Sequence, residues 1–354
     1  MAAELNRKQF DILAMLAEEK EKLSQRSLEE KTGHSLGTIN KVMKELTEQG
    51  LVKDGLITTS GLDALEPYRA KRAIFIAAGF GSRLVPITFN TPKPLVRVHG
   101  KRIIDGLIDA CLEAGINEIY IVRGYLAEQF DQLLYKYPMI KFLENPVYNE
   151  ANNISSAMCA RYMLSNAYVF EADLLIRNPK IVKKYQYTSN FLGIKKDRTD
   201  DWCFTVKNGI IVEEKVGGLD CWQMVGISYW NDADGHKLSN DIKECYDQPG
   251  GKERYWDQVP LVFSKEHYKV EVRECFDEDI VEIDTFRELK AIDKSYDVRC
   301  GSIGGVHGHE KGCADSDNDH GAVYGAGLFR QPGKHRYLRI LRAVPQRRNA
   351  GAAQ

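Results

Sequence analysis

No stretch of this chain approaches the roughly 18 consecutive apolar residues of a membrane-spanning helix. The opening MAAELNRKQF enters an amphipathic pattern without a signal-peptide core, so a cytoplasmic location is expected. Net charge is almost missing as well. The 354 residues hold 49 Lys and Arg against 50 Asp and Glu, so no global field draws the chain to nucleic acid or an anionic membrane, and such a partner needs a motif. The eight cysteines include no C-x-x-C pair, which argues against a disulfide framework and the common zinc patterns. What is present is an ordinary globular mixture, 43% hydrophobic and 28% charged, long enough for about two domains.

Composition shifts near Val298. Residues 299–354 hold nine bases against four acids and ten of the 29 glycines, with too few aliphatic residues for a packed core. A poorly folded basic tail is expected there, and its Cys300, His307, His309, Cys313 and His320 match no familiar zinc spacing. Residues 1–70 read as three helices and a hairpin. Phe10, Leu13 and Leu16 lie on one face of the first helix; Ile39, Val42, Met43 and Leu46 lie on one face of the third. LVKDGLITTSGLDAL reads as a short wing turning at Asp54-Gly55. This stretch resembles a winged helix-turn-helix, which implies DNA binding through the third helix. Its 10 bases against 12 acids give phosphate little attraction, so a docking or dimerisation module is the equal alternative.

From residue 71 to 298 short apolar runs such as RAIFIAAG, EIYIVRGY and AYVFEAD alternate with helical stretches such as RIIDGLIDACLEAG and LAEQFDQLLYKY. That is the grammar of an α/β domain with a largely parallel sheet, and the closer strands after Asp200 predict an antiparallel addition. The first strand ends at Ala77-Ala78 and runs into Gly79-Phe80-Gly81-Ser82-Arg83, a tight loop whose bare amides suit phosphate oxygens. It has neither the third glycine of a dinucleotide fingerprint nor the Gly-Lys-Ser/Thr of a Walker loop. The whole string, Gly-x-Gly-Ser-Arg-Leu, Pro86, Thr88 and Thr91-Pro92-Lys93-Pro94-Leu95, resembles the signature of the nucleotidyltransferase superfamily that activates sugar phosphates and choline phosphate. The resemblance runs to about Lys294. It implies a Rossmann-like nucleotide-binding α/β domain with a mixed sheet, and it casts Arg83 and Lys93 as the cations that neutralise a triphosphate.

Asp173 ends AYVFEAD and Asp284 lies in DIVEIDT, strand ends that face the ligand crevice of an open α/β sheet. The resemblance makes both Mg²⁺ ligands. All four tryptophans fall between residues 202 and 256, and aromatic faces beside a carboxylate suit a quaternary ammonium. The order Asp-Asp-Trp202, Ser-Tyr-Trp230, Tyr255-Trp256-Asp257 and Glu-Ile-Asp284, with Gly-Tyr125-Leu-Ala-Glu-Gln-Phe and Asn152-Asn153, is similar to the bacterial CTP:phosphocholine cytidylyltransferases. That implies CTP and phosphocholine as substrates, CDP-choline and pyrophosphate as products, and Mg²⁺ as cofactor. Trp202, Tyr255, Trp256, Asp257 and Glu171 then fall on the choline side, with Ala77, Ala78, Gly79, Gly81, Tyr125 and Asn153 at the nucleotide. Two features depart from the pattern: Glu171, one residue removed from the metal aspartate, and the N-terminal winged module. A sugar-1-phosphate nucleotidyltransferase and a nucleotide-sensing transcriptional regulator are the alternatives. Truncation after Asp297 is expected to leave activity unchanged, and amides of the tail are expected to exchange at the earliest measurable times; slow-exchanging tail amides would overturn this boundary.

Overall fold

A computed structural model describes residues 4–19 and 22–297; the expectations for 299–354 lie outside the described residues. The chain opens with α1 (Arg7–Glu18), α2 (Gln25–Thr32) and α3 (Leu36–Glu48). Asn6, Ser24 and Ser35 each accept from the N–H three residues on, satisfying donors that a helix start leaves unpaired. The wing is β1 (Val52–Lys53) with β2 (Leu56–Ile57). Asp54 and Gly55 turn it at φ 55° and 80°, the double left-handed turn that Asp-Gly favours. The sequence alone reads LITTSGLDAL as more wing, whereas the structure ends the wing at Ile57 and starts α4 (Thr59–Leu65). Thr58 caps it by accepting from Gly61 N–H at 3.1 Å. Gly61 also permits contact with the preceding backbone, since a Cβ there would stand 2.3 Å from the Leu51 carbonyl oxygen.

The second part contains β3 (Arg72–Ile76), β4 (Arg97–Val98), β5 (Lys101–Arg102), α5 (Ile103–Glu113), β6 (Glu118–Arg123) and β7 (Lys141–Glu144). It continues through α6 (Ile154–Ala160), β8 (Ala167–Glu171), β9 (Leu174–Ile176), β10 (Asn190–Lys207), β11 (Ile210–Trp230) and α7 (Asp232–Asp247). It closes with β12 (Glu271–Glu274), β13 (Ile280–Glu282) and α8 (Phe286–Ile292). Seven strands form one sheet in the order β10-β12-β11-β8-β3-β6-β7. β8, β3, β6 and β7 run parallel, and β11 joins β8 antiparallel, giving the expected mixed sheet. Side chains alternate between its faces. Phe75, Ile121 and Phe170 pack under Ile104, Leu107 and Ile108 of α5; Ile74, Val122 and Val169 pack under Ile154 of α6 and Leu238 and Ile242 of α7. With both faces covered, the parallel strands read as continuous apolar runs.

LAEQFDQLLYKY is not the α-helix its pattern predicts but a 3₁₀ segment, Ala127–Tyr135. Its buried residues, Phe130 and Leu133, are three apart, the spacing that eclipses on a three-residue turn. The winged helix is docked on the α/β domain. Arg7 pairs with Glu271 and Lys183 with Glu18, while Phe10 packs on Tyr68 and Tyr187, whose rings stack at 5.5 Å. Gly61→Ala is expected to destabilise this module by about 1–3 kcal/mol, read as a lower thermal midpoint; an unchanged midpoint would refute the close approach at Leu51.

Candidate active site

The glycine loop follows β3 directly. Gly81 takes φ +60°, and a Cβ there would meet Lys93 Cβ at 2.9 Å, so its lack of side chain brings the loop against Lys93. Thr88 Oγ1 donates to the Gly81 carbonyl at 2.8 Å, and Tyr125 N–H donates to the Ala78 carbonyl at 3.1 Å. Loop and Lys93 are thereby pinned at the carboxyl ends of the parallel strands, where such sheets place ligands.

Asp173 follows β8, and Asp284 follows β13. β13 pairs antiparallel with β9, Glu282 opposite Leu174, which draws the two acids together. Lys93, nearly buried, bridges them: its Nζ donates to Asp173 Oδ2 at 2.7 Å and to Asp284 Oδ1 at 2.9 Å. Arg83 takes the other Asp284 oxygen at 2.8 Å. Burial lowers the Lys93 pKa, but Asp173 and Asp284 outweigh it and hold the ammonium above its usual range. Burial raises Asp284 in turn, yet Lys93 and Arg83 keep it below the usual carboxylate range. Asp173 Oδ1 is buried and has no hydrogen-bond partner among the described residues. Asp173 lies with Glu171 and Glu282 in a group whose ligand oxygens come within 4.8 Å of one another. Glu282 is pushed up to about 8 by burial and by Asp173 and Asp284. A set of hard carboxylate oxygens with one unpaired member fits Mg²⁺, which takes few protein carboxylates and completes its shell with phosphate and water.

Beside this cluster lies a second one. Glu171, Glu214 and Asp257 lie together, and both Glu214 oxygens are buried, beside Asp257. Burial and then Asp257 push Glu214 up to about 10; burial, then Asp173 and Asp257, raise Glu171 well above its usual value; burial raises Asp257. At the rim Trp202 meets Tyr255 edge to face, centroids 5.6 Å apart. Asn153 Oδ1 accepts from Trp256 N–H at 2.9 Å, which fixes the Tyr255 segment against the start of α6.

Ala77, Gly79, Gly81, Arg83, Lys93, Asn153, Glu171, Asp173, Tyr255 and Asp284 all line one cleft of about 320 Å³. Five others named from the sequence do not line it; Trp202 stands at the rim against Tyr255. Ala78 is buried. Tyr125 turns its hydroxyl onto the Thr88 and Phe89 carbonyls, so it braces the loop. Asp257 is buried behind Glu214. Trp256 is a core ring, 2% exposed, stacked on Phe191 and edge-on to Trp230; only its unpartnered Nε1 is left to offer, and its face is not open to a substrate cation. Sequence reasoning missed two residues. Glu282 was signalled by its place in Glu-Ile-Asp, two positions before Asp284; Glu214 had no local signal, because its neighbours arrive from β8 and the Asp257 segment.

A glycine loop at the end of β3, cations beside two strand-end aspartates and a mixed α/β sheet define a nucleotidyltransferase. The nucleotidyl transferase family model matches residues 72–201, and the MarR family model matches residues 3–55. The chain is 37% identical over 228 residues to the 2-aminoethylphosphonate cytidylyltransferase of Lancefieldella rimae, covering 63% of this chain and 92% of that protein. It is 32% identical over 228 residues to the choline-phosphate cytidylyltransferase of Streptococcus pneumoniae, covering 63% of this chain and 97% of that one. The solved structure of the CTP:phosphocholine cytidylyltransferase from Streptococcus pneumoniae superposes with a TM-score of 0.59 at 30% identity, covering 64% of this chain and 99% of that chain. The chain belongs to the nucleotidyl transferase family, in its cytidylyltransferase branch, with a MarR-family winged helix ahead of the catalytic domain.

Glu214 gives the site a pH signature. Its pKa is higher folded than unfolded, so its contribution to stability is complete below the unfolded value near 4.3 and is lost as pH rises towards the folded value of about 10. Glu214→Gln is therefore expected to gain stability over the parent as pH climbs from about 5 to about 10, measured by denaturant unfolding; a gain independent of pH would contradict the buried protonated carboxyl.

Proposed function

We propose that the chain transfers a cytidylyl group from CTP, with Mg²⁺, to the phosphate or phosphonate of a small acceptor that carries an ammonium head. The observation that carries this reading is the adjacency of two opposite environments: a phosphate loop with Lys93 and Arg83, and the buried acids Glu171, Glu214 and Asp257. One end suits an anion and the other a cation, the two ends of such an acceptor.

In this reading an acceptor oxygen attacks the α-phosphorus of CTP, a new P–O bond forms, and the bridging bond to the β-phosphate breaks to release pyrophosphate. Amides of Gly79 to Gly81 hold the triphosphate, and Lys93 and Arg83 neutralise charge as the leaving group develops it. Asp173 and Asp284, with Glu282 beside them, would hold Mg²⁺, which would supply charge neutralisation on the phosphates. Trp202, Tyr255 and Glu171 fix the acceptor head, with Glu214 and Asp257 adding negative charge nearby, so catalysis rests on positioning and preorganised charge.

Phosphocholine is the acceptor that the signature of the sequence suggests. Glu171 on the cleft wall, with Glu214 and Asp257 close by, favours a second reading, 2-aminoethylphosphonate, because a primary ammonium donates N–H bonds to carboxylates and a quaternary one cannot. For the winged helix, docking through α1 leaves Asn40, Lys41 and Lys44 of α3 exposed, which supports retaining DNA as a partner; the Lys44–Glu48 pair weakens the phosphate attraction.

Pyrophosphate release with CTP, compared across phosphocholine, 2-aminoethylphosphonate, phosphoethanolamine and glucose-1-phosphate, tests the acceptor. One of the ammonium compounds is expected to lead, and a lead for glucose-1-phosphate would sink the reading. Asp173→Ala is expected to lower kcat on the order of a hundredfold or more at ordinary magnesium. Trp202→Ala is expected to raise the acceptor KM about thirtyfold, the equivalent of about 2 kcal/mol of cation–ring attraction, with the KM for CTP little changed.

A further inference from the structure

Gly226 stands in β11 beside Ile227, which pairs with Phe170 of β8. One step further along the same antiparallel register, Gly226 falls opposite Glu171. Opposite residues of such a pair share a face of the sheet, with their Cβ atoms ordinarily about 4.5–5.5 Å apart. Here a Cβ on Gly226 would stand 2.8 Å from both Cβ and Cγ of Glu171 and 2.9 Å from its Oε2, closer than non-bonded carbons approach. Glu171 therefore lies folded across bare backbone, in room that a side chain would have filled.

A glycine inside a strand weakens it, and it commonly marks a bend or a close approach. Backbone freedom is not the reason at this position, because Gly226 does not take a left-handed φ. What remains is space, and the three atoms nearest that space all belong to Glu171. Two of them, Cβ and Cγ, are the root of the side chain, so turning the carboxylate alone would not clear a new Cβ. A side chain at 226 would drive Glu171 to another χ1 rotamer and carry its charge elsewhere. Glu171 is on the wall of the catalytic cleft, whereas the glycine loop, Lys93 and Arg83 come from the segment after β3 and touch nothing at 226.

We propose that Gly226 is a positioning residue for acceptor recognition: the room it leaves holds the Glu171 carboxylate where it meets the ammonium head of the acceptor. The inference rests on the acceptor reading above and adds to it a residue that acts only through another. Gly226 sets the place of the charge, and Glu171 supplies it.

The test uses the full chain and begins with pyrophosphate release by the parent from CTP with phosphocholine, 2-aminoethylphosphonate and glucose-1-phosphate. A lead for glucose-1-phosphate overturns the acceptor reading and this proposal with it; with an ammonium compound in the lead, Gly226→Ala decides the proposal alone. Gly226→Ala is expected to raise the acceptor KM about tenfold or more, the loss of one contact to a charged group, with the KM for CTP little changed. In Glu171→Gln, which removes the charge and keeps the shape, adding Gly226→Ala is expected to raise the acceptor KM by less than about twofold. An unchanged acceptor KM in Gly226→Ala, equal rises for both substrates, or independent effects of the two changes overturn the proposal. Should Gly226→Ala fail to fold, combining it with Glu171→Gly, which takes away the side chain that the new Cβ would strike, is expected to restore folding and the parent KM for CTP while the acceptor KM stays high. A combined variant that still fails to fold overturns the proposal, since the room at 226 then serves another contact.

Discussion

The ammonium of Lys93, set between Asp173 and Asp284, is the contact on which the catalytic half is organised. It joins a loop after the first parallel strand, the end of the central strand β8 and a strand from the far end of the domain. None of the three would place a charge there alone. A lone buried carboxylate would take up a proton, and a lone buried ammonium would lose one; together they stay ionised. The small β9–β13 ribbon exists in service of this contact, since it carries Asp284 back to the end of β8. Arg83, largely exposed, is the outer counterpart of Lys93.

Much of this was legible in the sequence, for local reasons. A glycine that must adopt a left-handed φ beside a lysine side chain, as Gly81 does, leaves a signature in one short string. Alternating buried faces leave continuous apolar runs, as in β3 and β8. The illegible parts were decided by tertiary approach. Tyr255 and Trp256 are adjacent in sequence, yet one stands at the rim and the other stacks in the core on Phe191; successive residues of an irregular segment carry no period from which to tell them apart. Glu214 reads as one more charge on a β-hairpin until β8 brings Glu171 beside it. The short α4 escaped because its glycine looks like a turn signal, and only the neighbouring Leu51 carbonyl reveals why a glycine stands inside that helix.

The winged helix is joined to the catalytic domain by more than its linker. Leu5, Phe10, Tyr68, Tyr185 and Tyr187 form a continuous apolar seam, in which Tyr185 and Tyr187 belong to the segment between β9 and β10. The strand β10 that begins there runs on to Trp202 at the acceptor rim. Winged helix and cleft rim therefore share one strand, with the seam at one end and the rim towards the other.

On the proposed acceptor reading, the raised pKa of Glu214 ties acceptor capture to solvent protons. An acid held protonated up to about pH 10 is drawn towards giving that proton up when a cation comes to rest near it. On the proposed acceptor reading, the complex then forms as an exchange of one positive charge for another rather than as a simple addition. Such an exchange makes the heat of acceptor binding depend on the ionisation enthalpy of the buffer and makes apparent affinity climb with alkalinity. On that reading, recognition of the acceptor head is a proton-release reaction carried out before any phosphorus chemistry begins.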